Sequence, residues 1–164
     1  MAWCGWWADD ELHGTRVVRL RQNGTDTVKL TFFRVDDLTG SIDGLDPGAA
    51  GYAAAAAARA YQTSSGDTTI EGSGYGNHRQ TSLVDVDAGD LIAMKLDNLD
   101  TGDTFWAFAQ ANEKVAGQPV NHLWSYGLNT WGWEDRRGGG DRDYNDLIVG
   151  LDFTSAYGNG WLIA

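Results

Sequence analysis

Short segments of alternating apolar residues, separated by turns, constrain most strongly what this chain can fold into. They span residues 16–22, 27–33, 82–86, 91–97, 104–111 and 146–153. Alternation with a period of two is typical of strands that bury one face. The links between them carry Gly, Asp, Asn and Thr, and the chain holds 22 Gly but only 2 Pro. This pattern predicts a mainly β fold, an antiparallel β-sandwich of the jelly-roll kind.

The connections between these segments allow finer predictions. Only residues 23–26, a turn of Asn, Gly, Thr and Asp, separate the first two segments, so we expect a β-hairpin. Residues 62–82 are polar and rich in Gly, which predicts a long surface loop with room for one edge strand. Residues 154–164 are expected to form either a last short strand or a tail.

One segment predicts a helix, near residues 47–61. Asp46 can cap its N-terminus, and Pro47 suits the first helical position. The run of alanines from Ala53 to Ala58 has the highest helix propensity and allows close packing on a sheet. We interpret this helix as scaffold.

Length and charge define the class of protein. The 164 residues show no internal repeat and no linker, so we expect a single domain over residues 1–164. The net charge of −11 argues against nucleic acid and anionic membranes as partners, because both require positive charge. No apolar run reaches the length of about 20 residues that a membrane span needs. Cys4 stands alone, and the Trp-rich start (WCGWW, 3–7) lacks the basic region of an export signal.

The region between residues 134 and 146 concentrates oxygen ligands beside the last predicted strand. It contains Glu134, Asp135, Asp141, Asp143, Asn145 and Asp146. Ca²⁺ takes six to eight oxygen ligands from such groups, and the spacing of DRDYND matches the first half of a D-x-D-x-N calcium loop. The residue after Asn145 is Asp146, where an EF-hand needs Gly, and a strand follows instead of a helix. The run is therefore not an EF-hand.

Three glycines, Gly138 to Gly140, let the chain fold back between the two halves of this run. The fold-back would bring Glu134 and Asp135 near Asp141 and Asp143, where the carboxylates repel one another unless a cation is bound. One or more Ca²⁺ ions are expected. Mg²⁺ prefers fewer carboxylates, and the three His lack zinc spacing. The alternative is a solvated loop whose acids pair with Arg136, Arg137 and Arg142.

The segment WGWEDRRGGGDRDYNDL resembles the hallmark of a bacterial family of domains of unknown function, F-G-F-E-D followed by a Gly-rich gap and D-R-D-Y/F-N-D-L/V. Residues 35–56 and 105–124 are similar to other parts of such domains. These domains occur in large secreted and surface proteins and are similar to calcium-dependent ligand-binding domains of repeats-in-toxin adhesins. The resemblance implies a β-sandwich with Ca²⁺ held by the oxygen ligands between residues 134 and 146.

The same reasoning yields candidate ligand-binding residues. Trp124 and Trp131 precede the acidic run, where exposed aromatic rings can stack on sugars, although any single Trp is more often a core residue. Asn112 and His122 stand at positions that match the family, and His122 could donate to a ligand carboxylate. Arg136 and Arg137 occupy positions where the family commonly has Leu or Pro. All six are named as candidate ligand contacts.

These observations predict a calcium-dependent, extracellular ligand-binding module of the adhesin type, not an enzyme. It would recognise a glycan or peptide on a cell surface or matrix. It would act as a monomeric module of a larger bacterial protein that is secreted or surface-bound, by type I secretion. Two alternatives stay open: a calcium-stapled structural domain without ligand, and an accessory domain of a secreted hydrolase. Two further candidate metal positions are the Asp36–Asp37 pair, for which a solvated turn is the alternative, and the Asn112–Glu113 pair.

Overall fold

The computed structural model describes residues 13–152 and 161–162. Within these residues the chain forms strands β1 His13–Gln22, β2 Val28–Val35, β3 Ile70–Glu71, β4 His78–Asp87, β5 Leu91–Asn98, β6 Asp103–Trp106, β7 Lys114–Val115, β8 Gln118–Pro119, β9 Leu123–Gly127, β10 Thr130–Trp133, β11 Leu147–Asp152 and β12 Trp161–Leu162. The single α-helix in this part of the chain, α1, spans Tyr52–Ala58. Two short 3₁₀ turns span Ala109–Ala111 and Arg137–Gly139.

The strands form two main sheets. The first has the order β4-β1-β11-β10-β9, and every pair in it is antiparallel. The second has the order β12-β5-β2-β3, with β6 also paired to β5. Strands β7 and β8 form a separate small hairpin. The predicted class, mainly β with antiparallel sheets and one helix, is confirmed.

One apolar cluster joins the two sheets. The first sheet contributes Val18 and Leu20 of β1 together with Val149 of β11, all at most 2% exposed. The second contributes Phe32 of β2 and Met94 of β5, which are 1% and 0% exposed. These residues recur at every second position of their strands, so each sheet buries one face as the alternation predicts.

The predicted hairpin between the first two strands is wrong, because β1 and β2 lie in different sheets. β1 pairs with β4 and β11, whereas β2 pairs with β3 and β5. The buried side chain of Gln22 donates from Nε2 to the carbonyl oxygens of Gly24 and Asp26, at 3.1 and 2.6 Å. These bonds turn the chain out of one sheet and into the other. Turn residues between two strands fit both connections, so the local pattern could not distinguish them.

Several other boundaries differ from the sequence prediction. The strand predicted over 104–111 ends at Trp106, after which the chain turns through Ala109–Ala111. The predicted loop 62–82 contains β3 and the start of β4, which is an edge strand of the first sheet. The short strands β7, β8 and β9 are not among the segments that the alternation predicts. In the C-terminal stretch, β12 pairs with β5 in parallel. Residues 1–12, including the Trp-rich start, lie outside the described residues.

The helix is shorter than predicted at both ends. Gly48 and Gly51 have φ of +88° and +89°, so residues 47–50 form turns and the helix begins at Tyr52. Neither Asp46 nor Pro47 therefore has the capping role expected of it. After Ala58 the chain joins the edge of β2, where Ala60 bridges to Phe33. Tyr52 packs edge-on against Phe33 and Trp106, at ring-centroid distances of 6.4 and 5.5 Å.

Gly132 in the middle of β10 allows the acidic run to approach the first sheet. A Cβ atom at Gly132 would overlap the backbone carbonyl of Tyr144 and would lie 2.7 Å from the ring of Tyr126. The outer surface of β10 is thus in direct contact with the backbone of residue 144. Gly150 in the neighbouring strand β11 has no such constraint, because a Cβ there would meet its nearest atoms, of Arg19, at 3.9 Å.

We predict that Gly132→Ala lowers the free energy of unfolding by about 2 kcal/mol or more, because the new methyl group must displace backbone. The matched variant Gly150→Ala should change it by less than about 0.5 kcal/mol. Urea denaturation of both variants, analysed by linear extrapolation, measures the difference. Equal stabilities for the two variants would contradict the close approach.

Candidate metal centre

Strand β10 delivers the first half of the acidic run to the edge of the core. Trp131 and Trp133 are 6% and 0% exposed and anchor the strand. The next residue, Glu134, donates its backbone N–H to the carbonyl oxygen of His122 at 2.9 Å. Glu134 and Asp135 are therefore held in place by the sheet and are both buried.

The chain then reverses over three glycines. Gly138, Gly139 and Gly140 have φ of +78°, +80° and +46°, a region that Gly enters without the steric cost that a Cβ imposes. The reversal includes the 3₁₀ turn Arg137–Gly139 and returns the chain toward β10. This is the fold-back that the glycine run predicts, and it places Asp141 and Asp143 beside Glu134.

Three carboxylates meet at this point. One oxygen from each of Glu134, Asp141 and Asp143 lies within 4.8 Å of the others. Glu134 is 0% exposed, whereas Asp141 and Asp143 are exposed. We call these three residues the acidic triad. One carboxylate forms the floor of the triad and two form its open side.

Within the described part of the chain, only one of the two oxygens of Glu134 accepts a hydrogen bond. Oε1 accepts a hydrogen bond from the backbone N–H of Tyr144 at 2.6 Å. Oε2 is buried and has no hydrogen-bond partner among the described residues. A Cβ at Gly140 would overlap Oε2, so Gly at this position keeps the space beside the oxygen open. A buried carboxylate oxygen without a partner is costly, and it suggests that a group outside the chain completes the site.

The environment raises the pKa of Glu134. Burial is the main cause, because it disfavours the charged form. The hydrogen bond from Tyr144 opposes the shift, whereas the negative charges of Asp146, Asp141 and Asp143 add to it. In the protein alone, the surroundings therefore disfavour the charged form of Glu134.

The acidic triad fits Ca²⁺. Oxygens bound to one ion at about 2.3–2.6 Å can be no more than about 5.2 Å apart, and the three carboxylate oxygens meet that limit. Carboxylates are hard ligands that suit Ca²⁺ better than softer metals. A cation here would also compensate the negative charge of the buried Glu134 carboxylate, which has one oxygen without a hydrogen-bond partner among the described residues.

Asp135 belongs to a different cluster, with Asp146 and Asp26. Its backbone N–H donates to Oδ2 of Asp146 at 3.1 Å. Asn98 donates from Nδ2 to Oδ2 of Asp26 and to the carbonyl oxygen of Asp135, both at 2.8 Å. Burial, together with the charges of Asp146 and Asp26, raises the pKa of Asp135. Sequence alone missed Asp26, because only the crossover between the sheets brings it to this place.

Asn145 lies beside the acidic triad and contacts one of its members. Its side-chain amide and its backbone N–H both donate to the carboxylate of Asp143. The carbonyl oxygen of Asn145 accepts from Nδ2 of Asn23 at 3.0 Å. Of the six predicted metal ligands, three form the triad, Asn145 orients one of them, and Asp135 and Asp146 form the other cluster.

Three of the six predicted ligand contacts are buried, which corrects those predictions. Asn112 bonds to the backbone of Trp106 and Val120. His122 is 0% exposed and lies between the carbonyl oxygen of Glu134 and Oε1 of Glu113, at 3.0 and 2.9 Å. Trp131, as noted, is part of the core. These side chains have no surface left for an external ligand, and they support the loop from beneath instead.

The other three candidates are at the surface. Trp124 is 56% exposed, and its ring lies 5.9 Å from the ring of Tyr144. The exposed side chains of Arg136 and Arg137 form ion pairs with Asp26 and Asp103, at 3.1 and 2.7 Å. The two arginines thus pair with acids outside the triad, so they do not neutralise it.

The acids of the two further candidate metal positions have partners within the protein. The carboxylate of Asp37 accepts hydrogen bonds from Thr39 and Ser41. Asp36 pairs with Arg59. Glu113 accepts from His122 and from the backbone N–H of Gly138, at 2.9 and 2.7 Å, and so fastens the glycine turn.

Comparison with known proteins gives one match. Residues 75–154 match the family described as Domain of unknown function (DUF4114). The match covers just under half of the chain and includes the whole acidic run. No curated protein and no solved structure matches the chain significantly. Among the described residues, no helix has the length and apolar character needed to cross a membrane.

We predict that Glu134→Gln raises the melting temperature in chelator and removes the gain that Ca²⁺ gives the unmodified domain. The amide keeps the acceptor for the N–H of Tyr144 but carries no buried charge. For the unmodified domain, ligand at 100 times its Kd stabilises by about 2.7 kcal/mol, which the variant should largely lose.

Thermal unfolding with and without Ca²⁺ checks this, with Glu71→Gln as the matched control. Glu71 is exposed on β3, so its variant should behave like the unmodified domain. A Glu134→Gln variant that responds fully to Ca²⁺ would rule Glu134 out as a ligand.

We also predict that, in chelator, stability falls as pH rises from about 5 to 7.5. The raised pKa values of Glu134 and Asp135 mean that the folded state binds protons more tightly than the unfolded state. Between their ordinary pKa values of about 4 and the raised ones, unfolding releases protons, so higher pH favours unfolding. Melting temperatures across this range measure the slope. Saturating Ca²⁺ should reverse or abolish it, because the ion binds the deprotonated acids.

Proposed function

We propose that the domain is a calcium-dependent ligand-binding module that works outside the cell. The observation that carries the proposal is the acidic triad, in which the fully buried Glu134 lies beside two exposed carboxylates and has one oxygen without a hydrogen-bond partner among the described residues. A buried carboxylate oxygen that lacks a partner destabilises the folded domain, and a bound cation best explains why the chain has one here.

Glu134, Asp141 and Asp143 would hold the ion, which supplies positive charge and coordination sites at the surface. Since Glu134 follows β10 and the two aspartates follow the glycine turn, the ion would connect both arms of the loop. The loop would then have a fixed conformation, and its exposed side chains a fixed arrangement.

An aromatic surface next to the loop supports a binding role. Trp124 and Tyr126 of β9 are 56% and 51% exposed. The hydroxyl of Tyr126 donates to the carbonyl oxygens of Asp143 and Tyr144, at 2.9 and 3.1 Å. Exposed aromatic rings that are hydrogen-bonded to or packed on a cation-binding loop suit a ligand with both apolar and polar faces, such as a glycan or peptide.

A calcium-stapled structural domain without ligand uses the same triad. It is favoured by the position of the loop, which joins the adjacent strands β10 and β11. The aromatic surface distinguishes the two functions, because a staple alone does not need exposed rings. A hydrolase role finds little support in the geometry, since Glu134 and Asp135 lie in different clusters and do not face each other across one cleft.

We predict that Asp141→Asn and Asp143→Asn each weaken calcium affinity at least tenfold, since each removes one charged ligand from the triad. Calorimetric titration with Ca²⁺ measures the affinity. Asp85→Asn, a change of the same charge at an exposed position of β4, is the control and should bind Ca²⁺ like the unmodified domain.

Glycan and peptide arrays in Ca²⁺ and in chelator separate the binding module from the staple. The binding module requires array signals that chelator and Asp143→Asn both abolish. Calcium binding without any array signal would favour the staple. Absence of calcium binding would refute both.

A further inference from the structure

In the loop after the glycine turn, acidic residues alternate with residues that line a neighbouring pocket. Asp141 and Asp143 belong to the acidic triad. The residues that alternate with them, Arg142 and Tyr144, line a neighbouring pocket of about 250 Å³ together with Gln118 and Asn121. One short segment thus presents carboxylates to the proposed cation and a guanidinium and an aromatic ring to the pocket.

Arg142 and Tyr144 both have left-handed backbone conformations, with φ of +63° and +52°. Residues other than Gly, Asn and Asp rarely adopt this backbone conformation. They keep it only where surrounding contacts hold the backbone in place. The surroundings here include Oε1 of Glu134, which accepts from the N–H of Tyr144, and Tyr126, which donates to its carbonyl oxygen. Glu134 of the metal centre therefore also positions Tyr144, while the backbone N–H of Arg142 donates to the carbonyl oxygen of Gly139 in the glycine turn, at 3.0 Å.

The guanidinium of Arg142 makes no ion pair with the described residues, in contrast to Arg136 and Arg137. It is exposed in a chain of net charge −11, with an aspartate on either side in sequence. A cation that occupies Asp141 and Asp143 leaves this guanidinium available. Its planar fork matches a carboxylate, with two parallel hydrogen bonds.

The rest of the pocket suits a sugar. Tyr144 lines the pocket, and its ring lies 5.9 Å from that of the exposed Trp124 with a tilt of 35°, so the two rings offer an aromatic surface that continues from the pocket. The exposed side chains of Gln118 and Asn121 can bond to hydroxyl groups. We propose that this pocket binds a carboxylate-bearing sugar of an acidic glycan, with Arg142 on the carboxylate and the Tyr144–Trp124 surface on the ring. This inference rests on the proposed function, because the bound cation holds the loop.

The test uses sialylated, glucuronate-containing and galacturonate-containing oligosaccharides, each beside a counterpart whose carboxyl group has been reduced to an alcohol. In Ca²⁺, the unmodified domain should bind at least one acidic member at least tenfold more tightly than its reduced counterpart. Arg142→Gln should remove that preference while its calcium affinity stays unchanged. Arg79→Gln is the matched control, since Arg79 is an exposed arginine on β4, at the opposite edge of the sheet from β9.

The outcomes separate this inference from the proposed function. If Ca²⁺ binds but no acidic member is preferred, or if Arg142→Gln keeps the preference, the pocket assignment is wrong and the metal centre stands. If peptides bind and glycans do not, the ligand class is wrong. If Ca²⁺ does not bind, the proposed function fails first. Loss of the preference in Arg79→Gln as well would show that the effect reflects overall charge and would also overturn the assignment.

Discussion

The buried carboxylate of Glu134 is the constraint on which the rest of this site depends. Its position follows from the sheet, because β10 ends one residue earlier with a fully buried Trp133. A charge in that position must be compensated, and among the described residues only the N–H of Tyr144 bonds to the carboxylate, at one of its two oxygens. The shape of the loop is consistent with compensation by an ion. Its glycines leave space beside Glu134, and the chain reversal brings two aspartates close to that residue.

Glu134 and Asp135 show how adjacent residues in extended backbone serve different purposes. One faces the acidic triad, while the other packs between Asp146 and the crossover that carries Asp26. Asn98 ties this second cluster to the sheet that holds β5. The loop is therefore anchored to both sheets, and its stability and that of the sandwich are linked.

The sequence predicted those features that depend on local pattern. Period-two alternation located most of the long strands, and the glycine run predicted the reversal that joins Glu134 to Asp141 and Asp143. Long-range features were beyond it: a turn sequence does not reveal that β1 and β2 lie in different sheets, and nothing near Asp26 indicates that it meets Asp135. Burial was equally hidden, since Asn112 and His122 are polar residues whose hydrogen-bond partners, mostly backbone groups, are brought to them by the folded chain.

The arginines in and next to the glycine turn make the loop a potential site of proteolytic cleavage. Arg136, Arg137 and Arg142 are all exposed, and they flank backbone that contains three glycines and few side chains to shield it. Proteases that cleave after basic residues need an extended, accessible substrate, which this loop offers only when it opens. Under the proposed function, bound calcium would keep the loop closed, and resistance to such proteases would then depend on the concentration of free calcium.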